Sequence, residues 1–156
     1  MHESEYRAMF ELEDRLWWYV GMRAITETVL GGLVGQIDSV LDVGCGTGYS
    51  MNWLRRRFNP RAVYGVDLSL HAGVLWKESA IDSSAIASAT MLPFEAGRFD
   101  LVTCFDVIYQ LDREGVGNAL AEMNRVLKPG GLLFIREPAY DWLRGSHDVI
   151  VATRQR

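Results

Sequence analysis

A chain of 156 residues, 49% apolar and 23% charged, has the length of one compact domain and enough apolar content for a packed core, which excludes intrinsic disorder. Its formal charge of −4 argues against a nucleic-acid protein held by phosphate contacts, and no stretch approaches the roughly 20 apolar residues of a membrane span. The acidic start His2-Glu3-Ser4-Glu5 does not read as a secretory signal, and the widely spaced Cys45 and Cys104 read as reduced thiols of a cytoplasmic protein.

No repeat or linker divides the chain, so it reads as one domain. From Ser4 to about Leu33, apolar residues recur every three or four positions (Met9, Leu12, Leu16, Val20, Ile25, Val29), which predicts two helices broken near Gly21 and ended by Gly31-Gly32. The period then changes. Ser39 to Val43 is a short apolar run stopped by glycines, as a buried parallel strand would be. Ser50 to Phe58 predicts a helix closed by Asn59-Pro60, its Arg55-Arg56-Arg57 a solvated C-terminal end. Ala62 to Val66 is a second strand ending at Asp67, and Ser69 is an N-cap for a helix to about Ser79. Ser84 to Ser88 and Phe99 to Phe105 are further strands, Val116 to Leu127 an amphipathic helix, Pro129-Gly130-Gly131 a turn, and Leu132 to Ile135 a fifth strand. Strand alternating with helix predicts an α/β, doubly wound, mostly parallel sheet with helices on both faces.

Leu41-Asp42-Val43-Gly44-Cys45-Gly46-Thr47-Gly48 joins the first strand to a helix, where ligands of open α/β sheets bind. A dinucleotide turn wants G-x-G-x-x-G, but Tyr49 stands at its third glycine, which disfavours a nicotinamide-dependent (NAD) oxidoreductase. A kinase-type phosphate loop fails for want of Gly-Lys-Ser/Thr. The turn resembles motif I of class I S-adenosylmethionine-dependent methyltransferases. Leu92-Pro93-Phe94, Phe99-Asp100-Leu101-Val102 and Arg125-Val126-Leu127-Lys128-Pro129-Gly130-Gly131 resemble later blocks of that superfamily, in order.

The resemblance implies a Rossmann-like methyltransferase core over 38–137, a helical cap over 1–37 and a short segment over 138–156 in place of the usual C-terminal hairpin. It implies S-adenosylmethionine as cofactor, S-adenosylhomocysteine as product and a small-molecule acceptor. Asp67 would accept from the ribose hydroxyls, with Leu68 beside it; a helix-capping or solvated Asp67 is the alternative. Asp42 and the Gly44 carbonyl would face the ammonium of the methionine tail, with Gly46 and Gly48 passing beneath. Cys45 reads as a small buried filler of the same turn. Ser88, Ala89 and Thr90 would meet the adenine, although relatives often carry Asp where Ser88 stands. Phe105 and Asp106 would line the cofactor, Asp106 reading equally as a helix-start residue. Arg23, in the aromatic stretch Leu16 to Arg23, either pairs with the cofactor carboxylate or packs with its charge in solvent. Candidate bases for the acceptor are Glu137, Tyr140, Asp141 and His147; no metal site is implied. A noncatalytic binding module is the alternative function, and an exposed sheet edge would favour a homodimer.

Overall fold

The computed structural model describes residues 3–33, 35–78 and 83–137. Five parallel strands, β1 (Ser39–Val43), β2 (Ala62–Asp67), β3 (Ser84–Ile86), β4 (Phe99–Phe105) and β5 (Leu127–Arg136), lie in the order β3-β2-β1-β4-β5. Strand order reverses between β1 and β4, so the crevice that binds ligands in such sheets opens at their carboxyl ends. Alternation along the central strands splits the core in two. Val40, Val63 and Leu101 face one side with Leu30, Met51 and Leu75, whereas Leu41, Val66 and Val102 face the other with Ala119, Met123 and Val126. Burial of a Val or Leu side chain stabilises by about 1.5–3 kcal/mol, and the three central strands carry most such residues.

The first side is covered by α1 (Glu3–Leu12), α2 (Trp17–Leu33), α3 (Tyr49–Phe58) and α4 (Leu70–Glu78); α5 (Arg113–Val126) covers the second. The N-terminal break falls between Leu12 and Trp17 rather than at Gly21. Arg23 explains the position: its guanidinium donates to the carbonyls of Glu13 and Asp14, carbonyls that a helix end leaves without partners. Gly21 has open space where a Cβ would stand, and α2 simply absorbs the ~1 kcal/mol propensity cost of glycine. Helix α2 likewise runs through Gly31-Gly32. Ser69 does accept from the His71 amide (3.2 Å), as an N-cap should.

Three further boundaries differ from expectation. Strand β3 stops at Ile86, because Ser88 turns back to bridge Met91. Helix α5 starts at Arg113, where Asp112 accepts from the Gly115 amide at 2.8 Å; two nearby glycines mask that cap in the sequence. Strand β5 extends back to Leu127: Phe99 faces Leu127, yet Leu101 already faces Leu132, so Pro129-Gly130 bulges from the ladder instead of ending it. Arg55 and Arg57 are not simply solvated. Arg55 donates to the Val63 carbonyl and Ser83 hydroxyl, and Arg57 pairs with Glu27 at 2.6 Å.

Two of the sequence blocks after the glycine turn prove to be clamps. Asp100 accepts from the Asp38 and Ser39 amides and pairs with Lys128 at 2.7 Å, fastening the amino ends of β1, β4 and β5. Arg125 donates to the carbonyls of Leu92 and Phe94 and is held by Glu122. No helix is long and apolar enough to cross a membrane among the described residues.

Candidate functional site

The glycine turn leaves β1 at the switch point, and each of its glycines has positive φ: Gly44 at 76°, Gly46 at 53° and Gly48 at 85°. At Gly44 the requirement is also steric, since a Cβ would lie 2.1 Å from Val107 Cγ2, across the crevice after β4. The turn is pinned to β2 by the Gly44 and Cys45 amides, both donating to the Val66 carbonyl (2.7 and 3.0 Å). Gly48 then opens α3. The result is a backbone cradle that carries no side chain of its own at 44, 46 and 48, as close approach of a ligand to the backbone requires.

Asp67, at the tip of β2, faces this cradle. Its Oδ2 accepts from the Gly46 amide (2.9 Å), and its Oδ1 from the Ser69 amide (2.9 Å) and the Tyr6 hydroxyl (3.1 Å). Leu68 beside it is 73% exposed, as is Met91 at 76%, two apolar side chains on the rim beyond the acid. Ser88 shares a 2.8 Å hydrogen bond with the Thr90 hydroxyl and accepts from the Thr90 amide; Ala89 packs between them against the second core side. These residues follow the carboxyl ends of β2 and β3.

Asp42 lies below the turn, not in it. It is fully buried, accepting from the Ser50 and Thr103 hydroxyls. Burial raises its pKa to about 6, against the opposing pull of those hydroxyls and of Arg136. Its carboxylate thus ties β1 to β4 and α3. Cys45 and Cys104 are buried free thiols whose pKa values burial pushes well up, so both are inert fillers. Across the crevice, Asp106 adopts φ 58°, and its carboxylate pairs with Arg136 at 2.5 Å. Phe105 packs on Phe134, with the Arg136 guanidinium 4.7 Å above its ring. The Asp106 amide is taken up by the Arg136 carbonyl (2.8 Å), so this residue closes a β4–β5 corner; the one-turn 3-10 helix that follows, Ile108–Gln110, has Val107 as its N-cap.

Glu137 is engaged by backbone donors. Burial raises its pKa, yet its carboxylate is engaged by the Val107, Ile108 and Tyr109 amides and holds the loop after β4. Tyr140, Asp141 and His147 lie outside the described residues. Arg23 sits over the Tyr49 ring (4.6 Å) while capping α1, so its charge is neither in open solvent nor directed at the glycine turn alone.

The residues not foreseen are those of α1 and its exit. Tyr6 is 5% and Glu13 7% exposed, and Thr47 donates to both Glu13 oxygens (2.7 and 2.6 Å). Trp76 of α4 donates to the Gly46 carbonyl at 2.8 Å. The available signal was the spacing of Tyr6, Met9 and Glu13, which places them on one helical face; apolar periodicity alone passes over the two polar members. Burial raises the Glu13 pKa from 4.5 to about 7, with Asp14 also raising it and Thr47 and Arg23 opposing; Tyr19 of α2 faces the same carboxylate. A carboxyl raised on folding favours the native state below its unfolded pKa, and that contribution is lost as pH rises through the folded value. Glu13→Gln therefore melts with the wild type near pH 4.5 and above it near pH 8. Parallel Tm profiles across that window would remove the buried carboxyl from the account.

Residues 41–135 match a family described as a methyltransferase domain. An uncharacterized protein of Methanocaldococcus jannaschii is 30% identical over 87% of this chain and 51% of its own length. A ubiquinone/menaquinone biosynthesis C-methyltransferase of Chromobacterium violaceum is 32% identical over 89% of this chain and 57% of its own. The chain thus spans about half the length of the curated relatives it matches. A putative S-adenosyl-L-methionine-dependent methyltransferase of Methanococcus maripaludis has the same fold, with a TM-score of 0.74 at 18% identity over 86% of this chain and 63% of that one.

Proposed function

Because this chain belongs to the class I S-adenosylmethionine-dependent methyltransferase superfamily through its methyltransferase domain, we propose that it transfers the methyl group of S-adenosylmethionine to a small-molecule acceptor. The observation that carries this reading is Asp67, an acid at the tip of β2 that is already bonded to the Gly46 amide of the turn. One carboxylate thereby serves both the backbone cradle and a sugar diol. The residues present fit the cofactor: three positive-φ glycines give the turn no side chains of its own at those positions, and the Asp67 carboxylate stands 2.9 Å from the Gly46 amide at its edge.

Asp67 accepts from the ribose, and Leu68 and Met91 offer apolar surface for the base. Ser88, Ala89 and Thr90 bound the adenine end, and the Gly44–Gly48 backbone takes the methionine tail. Phe105 and Asp106 wall the crevice opposite. Bound there, the cofactor supplies the electrophilic methyl carbon. What the chain contributes is an oriented acceptor and a crevice closed to water, so an in-line displacement needs no catalytic triad. Arg23 becomes a partner for the cofactor carboxylate by leaving the Glu13 and Asp14 carbonyls.

Titration calorimetry with S-adenosylhomocysteine and, separately, NAD tests the cofactor; binding of NAD alone would overturn the reading. Turnover against an acceptor library distinguishes a transferase from a noncatalytic binding module. At the adenine end, Ser88→Asp keeps an acceptor for the Thr90 amide and adds a charged oxygen. Its Kd for S-adenosylhomocysteine falls about three- to tenfold, the increment of one charge-assisted hydrogen bond in partial solvent. An unchanged Kd would remove Ser88 from the adenine site. Among the described residues β5 is an edge of the sheet, and any homodimer is proposed to form there.

A further inference from the structure

Helix α1 lies across the glycine cradle. Tyr6 reaches Asp67, the Met9 Cε stands 3.9 Å from where a Cβ of Gly46 would be, and Glu13 holds Thr47. A carboxylate offers about four lone-pair sites. At Asp67 three are used, by the Gly46 amide, the Ser69 amide and the Tyr6 hydroxyl. The two amides belong to the turn and to the start of α4 and stay in place. A ribose diol brings two donors, and only one site is free for them.

We propose that α1 is a lid whose Tyr6 hydroxyl occupies a ribose-accepting position on Asp67, so that cofactor entry requires the Tyr6 end of the helix to leave. The inference rests on the ribose role of Asp67 proposed above. The build of α1 suits this motion. Tyr6 is its one fully buried side chain, and the Glu3–His71 pair at the amino end, 3.9 Å between exposed groups, is a contact worth little. Its carboxyl end is fastened by Glu13 on Thr47 and by Arg23 on the Glu13 carbonyl. The helix is thus tethered just beyond its carboxyl end, the arrangement of a segment that opens locally about that tether without unfolding the core.

Closure lowers apparent affinity by the fraction of molecules in the open form. Tyr6→Phe keeps the ring and removes the competing hydroxyl, so its Kd for S-adenosylhomocysteine falls about three- to tenfold relative to wild type. In the wild type, hydrogen exchange provides a second measurement: amides of residues 3–12 exchange faster in the S-adenosylhomocysteine complex, while those of residues 44–48 slow. An unchanged or raised Kd for Tyr6→Phe, with wild-type binding intact, would overturn the lid and leave the cofactor site standing. Greater protection of α1 in the complex would do the same. Loss of S-adenosylhomocysteine binding in both wild type and Tyr6→Phe would overturn the site and the lid together.

Discussion

Asp67→Ala raises the Kd for S-adenosylhomocysteine by about a hundredfold or more. Two ribose hydroxyls lose a charged acceptor, and hydrogen bonds to charged groups contribute about 1.5–3 kcal/mol each, so the loss is at least one tenfold step per bond. The variant also leaves the Gly46 and Ser69 amides without their acceptor, which loosens the cradle in the free protein and frees Tyr6 of α1. Asp67→Asn separates these effects. It restores an oxygen to one amide but presents an NH2 to the other groups, so it weakens binding less than Ala while still falling well short of wild type. The check is calorimetry on all three proteins with thermal melts to confirm folding. An Asp67→Ala protein that is folded and binds as tightly as wild type would sink the ribose assignment and the lid that depends on it.

Gly44→Ala lowers the Tm by about 6–12 °C and abolishes measurable cofactor binding. At φ 76° an L-residue is strained by about 1–2 kcal/mol. The new methyl would also stand 2.1 Å from Val107 Cγ2 and 3.3 Å from its Cβ. Relief requires the β4 exit to move, and overpacking of this kind costs about 1–3 kcal/mol. Together these amount to roughly 3 kcal/mol, which a domain of this size reads as a few degrees per kcal/mol. Val107 cannot yield freely, because the Glu137 carboxylate holds its amide at 3.0 Å. Val107→Ala in the Gly44→Ala background recovers part of the Tm, since it removes the colliding Cγ2 but not the backbone strain. A double mutant no more stable than the single would place the defect elsewhere.

Both variants act on residues that local sequence makes legible. A strand that ends in Gly-x-Gly-x-Gly announces a turn with positive φ, and an acid at the tip of the next strand falls beside it through the parallel register, Asp42 against Gly65 and Val43 against Val66. Gly65 was not legible in the same way. It lies within β2, and a Cβ there would sit 2.4 Å from Met51 Sδ and 2.8 Å from Cys45 Sγ; the need for glycine comes from α3 packing on the strand. Asp42 was legible in its position and not in its partners. The family resemblance implies a carboxylate facing the methionine ammonium, and strand alternation places it with Val40 on one buried face of β1, where Ser50 and Thr103 take it up. The blocks around Asp100 and Arg125 resemble a family signature and serve as clamps, the first at the amino ends of the strands and the second on the Leu92–Phe94 segment that follows the adenine end.

The amino-acid sequence alone determined the α/β alternation, the glycine turn, the acid that follows it and the superfamily, because each is written in residues close together along the chain. Which groups compete for that acid was decided by tertiary structure: Tyr6 and Asp67 are 61 positions apart, and nothing local marks them as partners. Hydrophobic period gives the face a helix buries but not the polar atom it meets there. That meeting depends on where α1 comes to rest over the sheet, which is set by the Arg23 and Glu13 contacts at its exit and by the packing of helices that only the folded chain brings together.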